Sequence, residues 1–451
     1  MEVASTQNQN APVDRVPLRI LLGTWCLVVL YAYPGYLNFD AADQLIQARR
    51  GVYSDWHPPL MAAYWRKLEL AVHGPVGMLL VQVSLFLWGL YRVLRLRLPP
   101  RTAAWVAAGL MLFPPILTPM APVWKDAQMA AFLLAGFTLL LEPRWSRRAL
   151  GCVLLMFACG VRDNGLAALP PLCAFIASQV GFRTRLARFS VVIGLIVVPA
   201  TTAFLINRGL ANHQVNPWAQ SVGPMDLIGI VCLADPISDA ELERDLEGTG
   251  LVEGITEGIQ HRSCGAYSSR DWFGVGSVFN EMPTSEQVAA RERAWRVLVR
   301  KHPSAYLAHR SRVMAELLGL TDADIWEPVC QNSAIEDQYT RLRHFTTPSY
   351  LQKRLGRVFG SLSQTMVYRP WVYLVLSVVF LGWAVWRRDG LVAALVGSGL
   401  LYESSFFIGA GAPDFRYSHW MITLCCLAAT LIVADRMKSR QRLHGSAAAG
   451  S

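Results

Sequence analysis

The sequence predicts an α-helical polytopic membrane protein, and three observations carry that prediction. The 451-residue chain is 53% hydrophobic, with a mean hydropathy of +0.30. Only 16% of it is charged, where a soluble protein of this size carries about a quarter. Apolar runs of roughly 17 to 20 residues recur along it, the length a helix needs to cross a ~30 Å hydrocarbon core.

Ten spans are expected, at about 17–33, 76–92, 102–120, 127–142, 149–161, 164–181, 189–207, 371–386, 391–409 and 418–434. The fifth is short and suits a tilted or half-crossing helix. The first ends in "YAYPGY" and lacks the small-residue pattern of a cleavable signal. Basic residues gather in alternate loops: Arg15 and Arg19; Arg92 to Arg101; Arg144 to Arg148; Arg183 to Arg188; Arg387 and Arg388; and Arg436 to Arg442. Short loops rich in Lys and Arg stay in the cytoplasm, so ten spans put all six clusters on that side and both termini with them. In a bacterium this is an inner-membrane, multi-pass topology. The net charge of +10 then faces anionic lipid headgroups, and no nucleic-acid partner is needed to explain it.

The domain organisation follows. A polar tail, 1–16, precedes an N-terminal transmembrane module, 17–207, whose first periplasmic loop spans 34–75. A periplasmic cap region covers 208–370, the last spans lie in 371–434, and a second tail covers 435–451. Both chain ends read as disordered. The cap has helical signals of its own. Thr284 with Gln287 forms a capping-box pattern, His302-Pro303 separates two helices, Gly319 suits a C-cap, and "ADPISDAELERDLEG" reads as a short acidic helix. Six of the nine cysteines lie in apolar runs as packing residues. Cys232, Cys264 and Cys330 lie in the cap region, where one disulfide among the three is expected without a choice of pair.

Ionisable residues concentrate in the first loop, "NFDAADQLIQARRGVYSDWHPPL" at 38–60. Asp40 and Asp43 share one face of a helix beginning there. As structural residues they are an N-cap and an N3 acid; as functional ones they are carboxylates at the membrane face, where burial is costly. Asp55 and His57 follow. Pro58 and Pro59 open a second helix, "PLMAAYWRKLELAV", whose apolar Met61, Trp65 and Leu68 oppose polar Arg66, Lys67 and Glu69; lying flat on the bilayer suits it. His57 either caps that helix or meets an anion at its positive end.

Three further segments bring charge to the same side. "APVWKDAQ" carries Lys125 and Asp126, either a helix cap with its neighbour or a second polar wall. "VRDNGL" carries Arg162 and Asp163, with Asn164 beside them, within a nearly continuous apolar stretch, where the two charges either face a cavity or face each other. "GAPDFRYSHW" carries Arg416 and Tyr417, either phosphate ligands or anchors in an aromatic belt. His309 and Arg310 in "KHPSAYLAHR" either touch substrate or, the favoured reading, pack helices together.

Taken in order, these motifs resemble the GT-C superfamily of membrane glycosyltransferases, nearest the protein O-mannosyltransferases and the lipid A aminoarabinose transferases. The string "YPGYLNFDAADQL…YSDWHPPL" also resembles a bacterial family of GT-C-like membrane proteins. The resemblance implies a GT-C-like fold, with interfacial helices in the first periplasmic loop and a mostly helical cap. It implies transfer of a sugar from a polyprenyl-phosphate donor to a periplasmic acceptor, whether cell-envelope glycan, lipid or protein. It assigns the catalytic base to Asp40 or Asp43. In the mannosyltransferases two acids stand side by side, whereas here two alanines separate them, so the base stays open between the two. His57, Lys125, Arg162, Arg416 and Tyr417 fall at donor-phosphate positions, with Asp55, Asp126 and Asn164 in support. No cofactor is required on this reading; a divalent metal on the acidic groups is the less favoured variant. A lipid or glycan transporter or flippase, and an assembly factor without chemistry, are the alternatives. Chemistry at periplasmic helix ends and the lack of repeat symmetry weigh against transport.

Overall fold

A computed structural model describes residues 14–180, 184–251, 283–321, 329, 342–411 and 413–448. Among the described residues the chain is almost entirely helical, and its β-type pairing is confined to two isolated bridges. The helices are α1 (Val16–Ala32), α2 (Phe39–Arg50), α3 (Pro59–Glu69), α4 (Val76–Leu94), α5 (Pro100–Leu112), α6 (Pro114–Leu117), α7 (Lys125–Leu140), α8 (Trp145–Val161), α9 (Gly165–Gln179) and α10 (Arg185–Leu210). Then come α11 (Gly223–Leu233), α12 (Asp239–Asp245), α13 (Ser285–Lys301), α14 (Pro303–Leu317), α15 (Arg343–Thr346), α16 (Tyr350–Leu362), α17 (Pro370–Arg387), α18 (Gly390–Gly409) and α19 (His419–Ala448).

Five helices are long and apolar enough to cross a membrane: α4, α10, α17, α18 and the stretch Phe415–Lys438 that includes most of α19. A sixth span results if the bent pair Pro100–Leu112 and Pro114–Met120 counts as one. This is the composition of a helical membrane protein. The outer helices are apolar around their circumference and present that surface outward. On α10, Leu186, Phe189, Val198 and Phe204 are each at least 60% exposed, and α17 exposes Val375, Val378, Val379 and Val385. The centre is α7, in which every residue from Asp126 to Leu140 is buried, packed against α4 and α8. Close approach there depends on missing side chains: a Cβ on Gly89 would stand 2.6 Å from Leu134 Cβ and 3.1 Å from the Ala135 nitrogen. Small residues let apolar helices approach in this way.

All ten apolar segments read from the sequence are helical, with two changes of shape. Residues 102–120 do not form one rod, because Pro114 and Pro115 break the hydrogen-bond ladder and the chain bends by 72°. The last helix continues to Ala448, so the tail 435–451 is helical over most of its length instead of irregular. Residues 1–13 lie outside the described residues, as do Cys264 and Cys330, two of the three cysteines among which one disulfide is expected.

The basic loops meet at one end of the bundle. Arg97 forms a fork with Asp389 at 2.8 and 2.5 Å and reaches Asp435 at 2.5 Å; Arg101 pairs with Asp14 at 2.8 Å; and Arg92 and Arg147 both pair with Glu142. The helix ends that carry the first-loop motifs lie at the other end.

Within 208–370, the described residues are helical where the sequence signals indicate. Thr284 and Gln287 complete the capping box, Pro303 opens α14, and Gly319 follows it at φ +70°. Sequence reading missed two elements. A π-helical turn, Trp218–Val222, runs into α11, and its residues Leu227, Ile228 and Ile230 pack against Leu298 and Ala305 as a second hydrophobic core. The amphipathic α16 starts at a Ser349–Gln352 capping box and ties to the C-terminal end of α1, with Gln352 Nε2 donating to the Tyr31 and Tyr33 carbonyls. At the centre of the cap, Asp226 Oδ2 accepts from Arg310 and from Trp295, each at 2.8 Å, and its Oδ1 stands 2.7 Å from Arg310 and 3.4 Å from His309. Gly229 gives His309 its room: a Cβ there would overlap the imidazole at 2.1 Å. Arg310 also donates to the Ala410 carbonyl at 2.8 Å, which joins the cap to the loop before α19.

Candidate functional site

Backbone pairing brings the site together. Tyr36 donates to the Ala121 carbonyl at 3.2 Å, and Val123 donates to the Tyr36 carbonyl at 3.0 Å, so the first loop lies alongside the approach to α7. Gln82 holds the same approach from α4, donating to the Met120 and Pro122 carbonyls. The far side of the loop is fastened to the chain after α10. Asn212 donates its backbone N–H to the Tyr53 carbonyl at 2.8 Å and accepts the Tyr53 N–H on its side-chain Oδ1 at 2.9 Å, and Asp55 Oδ1 accepts from the Val215 nitrogen at 2.5 Å. Asn207 closes a third joint, accepting from the Leu60 nitrogen and donating to the Gly160 carbonyl.

Within this frame α2 begins at Asn38, not at Asp40. The Asn38 side chain accepts from the Ala41 nitrogen, so it is the N-cap and Asp40 stands inside the first turn. That frees the Asp40 carboxylate from capping. The helix ends at Gly51, in the left-handed region at φ +71°, and Arg66 of α3 donates to the Ala48 and Arg49 carbonyls there. Glu69 pairs with Arg49 at 2.7 Å. Arg66 and Glu69 thus belong to the joint between α2 and α3, not to a solvent-facing side of α3. At 11 and 12 residues, each helix is about 17 Å long, too short to cross a bilayer.

Seven predicted residues converge: Asp40, His57, Lys125, Asp126, Arg162, Arg416 and Tyr417. Asp40 Oδ2 accepts from Arg416 Nη2 at 2.8 Å, and its Oδ1 stands 3.8 Å from His57 Nε2. Lys125 Nζ lies 3.1 Å from His57 Nδ1. Asp126 lies 3.2 Å from Arg162 and 3.8 Å from Arg416, and takes the Tyr402 hydroxyl at 3.2 Å. Asp414 holds Arg416 Nε at 2.7 Å and caps the turn that carries it, accepting from the Arg416 nitrogen at 3.1 Å. The cations Lys125, Arg162 and Arg416 are thus balanced by the carboxylates Asp40, Asp126 and Asp414.

Aromatic faces lock the two guanidiniums. Tyr417 stacks on Phe406 with centroids 4.7 Å apart, and Arg162 lies 4.8 Å from the Tyr417 centroid. Arg416 lies between Trp124 at 4.9 Å and Tyr417 at 5.6 Å. A planar cation between ring faces has few alternative positions. Arg416 is 7% exposed and Arg162 8%, so neither extends to an outer surface as a snorkelling anchor would.

Burial would raise the Asp40 carboxyl, but the charges of Arg416 and Lys125 and the bond from Arg416 outweigh it and hold the group well below the usual carboxylate range. Asp43 behaves oppositely: burial pushes it up, and its oxygen turns to Gln47 Nε2 at 2.6 Å. Burial, reinforced by Lys125, pushes His57 down to about 3, so its imidazole is neutral at physiological pH. An ammonium can only donate, so the Lys125 contact makes Nδ1 the acceptor and leaves the proton on Nε2. That Nε2 is buried without a hydrogen-bond partner, as are Arg416 Nη1 and Trp124 Nε1. Buried donors are rarely left so unless a ligand or water meets them. Asp40 itself keeps 23% of its side chain exposed, which leaves the cluster open to an incoming group.

The other predicted residues lie at the margin. Asp55 is the tether to Val215 and makes no contact with the cluster, and Asn164 donates to Ser405 at 3.2 Å. Asp414, Trp124 and Tyr402 belong to the site and were missed. Asp414 lies in the quoted "GAPDFRYSHW", two residues from Arg416, but Trp124 and Tyr402 sit in or beside apolar helices with no local sign of their role. The lone Glu403, fully buried and bonded to Ser418 at 2.7 Å, had such a sign as an acid within an apolar span. Among the described residues no three His, Cys, Asp or Glu side chains gather as a metal-ligand set. Compared with protein-family models, curated proteins and solved structures, the chain matches none.

Proposed function

We propose that the protein is a GT-C-like membrane glycosyltransferase that moves a sugar from a polyprenyl-phosphate donor to an acceptor outside the cytoplasm. The chain would cross the inner membrane ten times with both termini cytoplasmic. The observation that carries the reading is the meeting of a partly exposed carboxylate, Asp40, with two ring-clamped arginines and a neutral histidine at one end of the bundle.

Asp40 is favoured over Asp43 as the base. Geometry comes before basicity in choosing one. Asp40 faces the cations that would hold the donor phosphate, so it faces the anomeric carbon next to that phosphate; Asp43 turns to Gln47. An arriving phosphate would compete with Asp40 for Arg416. Losing that partner raises the basicity of Asp40 at the moment the acceptor hydroxyl is in place. Asp40 takes the hydroxyl proton as the oxygen bonds to the anomeric carbon and the bond to phosphate breaks. The charge left on phosphate is met by Arg416, Arg162, Lys125 and the His57 Nε2–H. One displacement inverts the anomeric carbon.

The test is to supply purified protein in lipid nanodiscs with polyprenyl-phosphate-linked sugars and envelope acceptors, and to follow release of polyprenyl phosphate. Release that depends on acceptor and on Asp40 is expected. Movement of intact donor between leaflets of proteoliposomes, without release, would replace this reading with a transporter.

A further inference from the structure

The opposite end of the bundle carries a second cluster of charge that the proposed transfer does not use. A cleft of about 1140 Å³ opens there among the ends of α4, α9, α17 and α18 and the middle of α19. Its charged lining divides in two. Arg97 is saturated, forked to Asp389 and bonded to Asp435, and Asp389 also caps α18 by accepting from the Val392 nitrogen. Arg387, Arg388 and Arg436 also line the cleft, and among the described residues no carboxylate lies within ion-pair distance of any of them. Three unneutralised guanidiniums around one concavity give it a net positive field.

Two further features narrow the occupant. Arg388 adopts φ +57°, a left-handed conformation normally left to glycine or asparagine at a helix end, yet an arginine stands there. Leu141, Phe175 and Trp383 line the rest of the wall beside Gln179, and Trp383 stands one turn along α17 from Val379, on a helix where Val378, Val379 and Val385 are each more than half exposed. A ligand here meets cations at one end and a lipid-facing helix at the other.

We propose that this cleft binds the headgroup of an anionic phospholipid, with its phosphate on Arg387, Arg388 and Arg436 and its acyl chains along α17. Charge complementarity and the adjoining apolar helix favour a lipid over a soluble anion, which would use only the polar half. Basic recesses between membrane helices recognise anionic headgroups in this way.

The experiment is native mass spectrometry and lipid-exchange titration of the full chain, comparing phosphatidylglycerol with phosphatidylcholine. Phosphatidylglycerol should be retained preferentially. Each arginine is worth about fivefold in affinity, so Arg387→Gln, Arg388→Gln and Arg436→Gln together should weaken retention on the order of a hundredfold. The corresponding triple lysine variant should stay within a few fold of the wild type. If the triple glutamine variant does not fold, Arg387→Gln and Arg436→Gln singly should each lose about fivefold. Equal retention of the two lipids, no change in the glutamine variants, or complete displacement of phosphatidylglycerol by glycerol phosphate would overturn the proposal.

Discussion

Replacing Asp40 with asparagine separates chemistry from binding, and the two should move in opposite directions. The carboxylate accepts a 2.8 Å bond from Arg416 and stands 3.8 Å from His57. Asparagine keeps the shape and an acceptor oxygen but loses the charge. Arg416 retains Asp414 at 2.7 Å, so the fold should lose only about 1–2 kcal/mol. A phosphate on the same guanidinium would lie about 6 Å from Asp40, and at an effective dielectric near 20 the two anions repel by roughly 3 kcal/mol. Removing that repulsion should tighten binding of polyprenyl phosphate by about a hundredfold. Removing the base should lower transfer by about 10²–10⁴-fold. Fluorescence titration with a labelled polyprenyl phosphate reads the first effect, and release of polyprenyl phosphate from a lipid-linked sugar reads the second. Wild-type turnover in this variant, or weaker phosphate binding, would refute the assignment of Asp40 and the competition for Arg416.

Other outcomes follow from the same contacts. Arg416→Lys keeps the charge but loses the planar cation between Trp124 and Tyr417 and the simultaneous hold on Asp40 and Asp414; transfer should fall at least about a hundredfold while the protein stays folded by circular dichroism, and near-normal turnover would count against the ring clamp. His57 is neutral in the folded state with its titration moved down to about 3, so between about pH 6.5 and 3 the unfolded chain takes up a proton that the folded one refuses. Stability should therefore fall on acidification through that window, and His57→Gln should flatten the fall; identical thermal midpoints against pH in both proteins would contradict a buried neutral imidazole. Gly89→Ala forces α4 away from Leu134 and the α7 backbone and should cost about 1–3 kcal/mol, seen as a lower thermal midpoint without a change in helix content.

Much of the fold is legible because its signals are local. Apolar runs become helices wherever they stand, since an unpaired backbone amide in hydrocarbon costs several kcal/mol. The cap helices have their start signals written into neighbouring residues, as at Thr284 and Gln287. The break at Pro114 also follows from local chemistry, yet a run of apolar residues across it reads as one span unless proline is given priority. Asn38 shows a finer limit. Asn and Asp both cap helices, and choosing between positions two apart requires knowing where the preceding chain is held, which Tyr36 settles by pairing with residues 121–123. The apolar helix α11 was hidden because its one charged residue, Asp226, is neutralised by Arg310, far along the chain.

By itself, the sequence determined the helical membrane class, the approximate helix positions and the set of charged residues near their ends, because hydrophobic length and charge placement act through solvent and need no partner. The tertiary structure decided which of those charges meet. Asp40, His57, Lys125, Arg162 and Arg416 come from four separate segments, and only packing brings them within contact while setting Asp55 and Asn164 aside. It also decided protonation: the same imidazole that titrates near neutrality in a free chain is held neutral when buried beside Lys125. Burial and distance are properties of the folded arrangement, and electrostatic energy depends on both.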